Sequence, residues 1–86
     1  MFRKNIQFSK LIKAGGRLKE FNFRKPRPDS DLYEVDVSDD RGNRLYFNVR
    51  FAEDRWNLQE SLLPSWITEA ETLIQEAILE QEKVQE

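Results

Sequence analysis

The chain has 86 residues, with 14 Lys/Arg, 16 Asp/Glu, no cysteine, no histidine and a formal net charge of −2. That length makes one small domain, and the missing residue types exclude disulfides, thiolate metal sites and the commonest general base at neutral pH. The small net charge hides a split, because residues 1–28 carry nine Lys/Arg and one acid, whereas residues 29–86 carry five Lys/Arg and fifteen acids.

Such a split bears on partners and steering and names no reaction. The first residues, Met1-Phe2-Arg3-Lys4-Asn5-Ile6-Gln7-Phe8, are positively charged. No unbroken apolar stretch follows, which argues against a secretory signal and against a membrane span. Ten aromatic residues argue against disorder. The expectation is a folded, cytoplasmic domain without a membrane partner.

Ser9–Ala14 reads as one or two helical turns ended by Gly15-Gly16, or as a short extended segment. Leu18–Lys25 reads as a strand with Phe21 and Phe23 on one face and Glu20, Asn22 and Arg24 on the other. Pro26-Arg27-Pro28-Asp29-Ser30-Asp31 then makes a loop. Beyond it Tyr33, Val35 and Val37 alternate with polar residues, as do Leu45, Phe47, Val49 and Phe51. Asp40-Arg41-Gly42 suits a hairpin loop with Gly in the left-handed position, pairing Asp39 with Asn43 and Val35 with Phe47. Every apolar residue then stays on one face. Ala52-Glu53-Asp54-Arg55 predicts a second tight turn, opposing Phe51 with Trp56 before a short strand Arg55–Gln59.

A helix is predicted from near Pro64, with Leu63, Trp66, Ile67, Ala70, Leu73, Ile74, Ala77 and Ile78 on one apolar stripe. Its last part, Gln81–Glu86, reads as a fraying tail. The fold class is therefore α+β: a three- to four-stranded antiparallel β-meander with the C-terminal amphipathic helix across one face. The divisions are 1–16, a basic N-terminal segment covering an edge or end, 17–59, the meander, and 64–86, the helix. The core joins Phe21, Phe23, Val35, Val37, Phe47, Val49, Phe51 and Trp56 to Trp66, Ile67, Ala70, Leu73, Ile74 and Ile78.

Glu34, Asp36, Asp39 and Asp40 lie close together but lack the ligand spacing of a calcium loop. Asp39 and Asp40 are read as turn residues. No phosphate-loop, dinucleotide or nucleophile-elbow motif occurs, so the expectation is a non-enzymatic protein with no cofactor. Lys19, Arg24 and Lys25, with Arg44, Tyr46 and Arg50 on the outer sheet face, form a candidate interaction surface. Leu79 is a second candidate, because it falls opposite the helix stripe among Thr68, Thr72 and Gln75. The β-β-β-β-α order is similar to that of a family of single-stranded DNA-binding proteins, a resemblance of element order without a shared motif. The preferred reading is a small interaction domain with opposed basic and acidic regions, binding a protein partner or forming a weak homodimer. The alternative is a module for single-stranded nucleic acid.

Overall fold

Hairpin turns set the register of the whole sheet. In the computed structural model, which describes residues 6–27, 29–59 and 63–84, five strands and two helical segments follow in order: β1 (Ile6–Ala14), β2 (Arg17–Lys25), β3 (Leu32–Ser38), β4 (Arg44–Ala52), β5 (Arg55–Leu58), α1 (Ser65–Thr68) and α2 (Glu71–Val84). Each strand pairs antiparallel with the next, giving the sheet order β1-β2-β3-β4-β5.

The β3–β4 turn has the expected geometry. Asp39 N–H donates to Asn43 O at 2.9 Å, Gly42 N–H donates to Asp39 O at 3.1 Å, and Gly42 has φ of 86°. The Asp39 carboxylate reinforces it, accepting from the Arg41 and Asn43 amides at 2.9 and 2.8 Å. At the β4–β5 turn Glu53 and Asp54 take φ of 56° and 67°, the two left-handed residues that a two-residue hairpin loop requires. Val49 then faces Leu58, and Phe51 faces Trp56.

Of the two readings of residues 9–14 the extended one holds, and several other expectations are corrected along the chain. Residues 9–14 are not helical but belong to β1, a nine-residue edge strand, so the meander has five strands and begins within the basic segment. The physical reason is visible in Phe8, Lys10, Ile12 and Ala14, which alternate onto one face. Gly15 and Gly16, at φ of 65° and 80°, form a hairpin turn rather than a helix cap. A Cβ on Gly15 would lie 3.1 Å from Trp66 Cβ, so glycine here also lets the hairpin approach α1.

The C-terminal helix is divided, with Glu69 and Ala70 in a turn between α1 and α2. Neither Gly nor Pro stands at the break, so local propensity does not impose it. Residues 81–84 stay helical, and Glu82 is anchored as described below; residues 85–86 lie outside the described residues.

One face of the sheet buries Phe21, Phe23, Tyr33, Val35, Val37, Phe47, Val49 and Trp56 against Ile67, Ala70, Ile74, Ala77 and Ile78. Ile12 and Ala14 join this core, whereas Phe51 and Leu73, expected inside, are exposed. Phe51 lies beside the β4–β5 turn, where its ring meets Trp56 with centroids 5.2 Å apart.

The helix α2 packs against both β1 and β5, the opposite edges of the sheet. Four inter-strand spacings would separate those edges by about 19 Å in a flat sheet, wider than a helix of about 10–12 Å. The sheet therefore curls around α2. Gln75 Nε2 donates to Trp56 O at 2.6 Å, and Leu58 N–H donates to Glu71 Oε2 at 3.4 Å. In the register of the β4–β5 hairpin these backbone groups face away from β4, so α2 covers the β5 edge with side chains.

Candidate interaction surface

The parity of the strands decides which candidate residues reach solvent. Arg24, Arg44, Tyr46 and Arg50 stand on the outer face, opposite the helix, as expected. Lys19 and Lys25 do not. They share the parity of Phe21 and Phe23 and point to the helix side, which removes them from the proposed surface.

Lys25 is only 3% exposed. Its Nζ lies 2.8 Å from Glu82 Oε2, which also accepts from Tyr33 Oη at 2.7 Å. Burial pushes the Tyr33 hydroxyl far above the ordinary tyrosine range, and the hydrogen bond and charge of Glu82 push it the same way. Lys19 Nζ donates to Ala14 O at 2.8 Å, sits 3.5 Å from Asp40 Oδ1 and lies over the Trp66 ring at 4.9 Å. Both lysines fasten elements together.

On the outer face the register brings Ser9, Asn22, Asp36 and Tyr46 into one cross-strand row and Gln7, Arg24, Glu34 and Asn48 into the next. Ser9 Oγ donates to Asn22 Oδ1 at 2.7 Å, Asn22 Nδ2 donates to Asp36 Oδ1 at 2.9 Å, and Arg44 Nη1 reaches the same oxygen at 2.8 Å. Arg24 pairs with Glu34 through both Nε and Nη2, and that hydrogen bond raises its pKa further. Arg50 pairs with Asp31 at 3.2 Å. These rows line an open groove of about 880 Å³.

All three outer-face arginines from the candidate set are thus held by carboxylates, Glu34 and Asp36 on the same face and Asp31 just before β3. The groove is polar and locally neutralised, which disfavours a polyanion that must displace each carboxylate. Glu34 and Asp36 are likewise engaged with arginines. At Asp39 burial opposes ionisation, but the hydrogen bonds from Asn43 and Arg41 outweigh it and hold the carboxyl below its usual range. Among the described residues no cluster of three metal-ligating side chains occurs and no helix is long and apolar enough to cross a membrane.

Two apolar residues were not singled out by the sequence. Leu11 and Leu18 are 62% and 67% exposed on the outer face of the β1–β2 hairpin. Leu18 faces Lys13, and Leu11 faces Glu20 one non-adjacent pair away, so the leucines are diagonal neighbours. The signal was the alternation of residues 6–14, which becomes readable only once that segment is a strand. Leu79 is exposed as expected, but it lies on the solvent side of α2, apart from the sheet surface. Comparisons with protein-family models, curated proteins and solved structures return no significant match, and the observed order of five strands before the helix differs from the β-β-β-β-α order on which the resemblance to single-stranded DNA-binding proteins rests.

Proposed function

We propose that this protein is a non-enzymatic interaction domain that binds another protein through the β1–β2 end of its outer sheet face. The observation that carries this reading is the exposed pair Leu11 and Leu18, apolar area on a face where Arg24, Arg44 and Arg50 are each paired with a carboxylate. Exposed apolar groups rimmed by polar residues favour protein contacts. The basic N-terminal third supports the alternative, a single-stranded nucleic-acid module, but the pairing of Arg24, Arg44 and Arg50 weighs against it.

The test is binding measured in parallel. A defined protein captured from nuclease-treated lysate should be retained by the parent and lost by Leu18→Glu, which places a charge in the apolar contact. Fluorescence anisotropy with a single strand of about 20 nucleotides at about 150 mM salt should show only weak binding. Submicromolar, salt-sensitive binding of that strand would replace the protein-binding reading with the nucleic-acid one.

A further inference from the structure

The two edges of the sheet are treated differently. The β5 edge is covered by Gln75 and Glu71 from α2. The two-residue turn at Gly15-Gly16 makes Ala14 and Arg17 a hydrogen-bonded pair, and strict alternation then turns the backbone groups of Gln7, Ser9, Leu11 and Lys13 away from β2. None of these four residues makes a backbone hydrogen bond outside its own sheet pairing among the described residues. The result is an edge strand nine residues long with unbroken pairing register.

Beside that edge lies a groove of about 280 Å³ between β1 and α2, lined by Ile12, Leu73, Ala77, Glu76 and Glu80 together with Lys10. This explains Leu73, which belongs to the apolar stripe of α2 yet is 43% exposed. It faces a space that a further strand would fill. An added strand sends alternate side chains to opposite faces. One set would enter the groove over Leu73 and Ala77; the other would stand beside Leu11, Lys13 and Leu18.

We infer that the β1 edge accepts an extended segment of a partner protein as a sixth strand, with apolar residues toward α2 and carboxylates toward Lys13 on the outer face. The inference rests on the protein-binding reading above. Charge selects the occupant. Lys13 is exposed and forms no ion pair with a described residue, and β1 itself contains two lysines and no acid. Pairing with the β1 of a second copy brings only positive strands together, which disfavours self-association at this edge. Main-chain hydrogen bonds supply affinity in such docking, and the alternate pockets supply choice.

The experiment uses the full chain and a synthetic peptide of about ten residues that alternates valine with glutamate. Expected are peptide-dependent shifts of the Ser9, Leu11 and Lys13 amides and at least ~10-fold slower exchange of those protons. A peptide with lysine in place of glutamate should bind at least ~10-fold more weakly. Leu11→Pro removes an outward N–H without touching the β2 ladder and should abolish binding. Leu73→Glu, at an already exposed site, should weaken it at least ~10-fold and serves if Leu11→Pro does not fold.

Peptide binding elsewhere on the molecule, equal binding of the two peptides, or none at millimolar concentration overturns the edge assignment while leaving the protein-binding reading intact. Concentration-dependent protection of the same amides without peptide would identify a second copy as the occupant and also overturn it. Nucleic-acid binding with loss of protein capture would instead remove the reading beneath it.

Discussion

Lys25 shows how far a single residue can depart from its type. Its ammonium is enclosed by Glu82, the Tyr33 ring at 5.4 Å and the Trp56 ring at 5.8 Å. A buried cation without its anion costs more than an exposed anion without its cation. Because the Glu82 side chain keeps 32% of its surface exposed and Lys25 only 4%, the two partners are unequal. Glu82→Ala should therefore destabilise the protein by about 3 kcal/mol, Lys25→Met by distinctly less, and the double variant should recover much of the difference. Urea denaturation of the four proteins checks this cycle. Tyr33 adds a pH dependence. Its folded pKa is raised, so the stability it contributes is complete below the unfolded tyrosine value of about 10 and is lost as pH rises beyond it. Tyr33→Phe should flatten the fall in melting temperature above about pH 10; an unchanged slope would assign that fall to other groups. The inward placement of Lys19 and Lys25 was legible from the alternation that places Phe21 and Phe23 inside. It was obscured because residue type suggests solvent for lysine, whereas parity decides direction and a long stem can lie along apolar surface.

At the scale of elements, the three strands whose turns carry a local signature were readable with their partners. Asp40-Arg41-Gly42 and the alternation on β3 and β4 agree, and the pairing of Val35 with Phe47 follows from both. The first strand was harder because Ser9–Ala14 is short, and its apolar residues Leu11 and Ile12 are adjacent, a spacing that neither period claims. Only pairing with β2 along nine positions resolves it. The division of α1 from α2 has no sequence signal at all, and the exposure of Leu73 depends on the curl of the sheet. Covering of the β5 edge is equally tertiary, since Gln75 lies 19 residues from Trp56. Gln75→Leu should remove one hydrogen bond, cost about 1 kcal/mol, and raise amide exchange in β5 while leaving β2 and β3 unchanged. Uniform acceleration across the sheet would show that Gln75 supports global stability and not that edge.

Over the whole molecule, the charge split of the sequence is met largely inside the fold. Lys10 with Glu80, Lys19 with Asp40, Arg24 with Glu34 and Lys25 with Glu82 each join the basic first third to the acidic remainder. The opposed fields thus help to orient the chain on itself, and among the described residues of β1 Lys13 is the cation left without an ion pair at the open edge. With so small a domain the core leaves little reserve. Phe47, 2% exposed at the centre of β4, should cost about 3–5 kcal/mol when truncated to Ala, leaving the chain largely unfolded in a circular-dichroism melt; a parental melt would contradict its place in the core. The contact of α2 with β1 also has a consequence in time. Lys10 and Glu80 are 70 residues apart, so the element that closes the sheet is synthesised long after the strand it closes upon. The nascent meander waits with its aromatic face bare, and long-range closure of this kind slows folding and exposes the chain to aggregation. Docking of α2, more than the formation of any hairpin, is the moment at which this domain becomes safe from its neighbours.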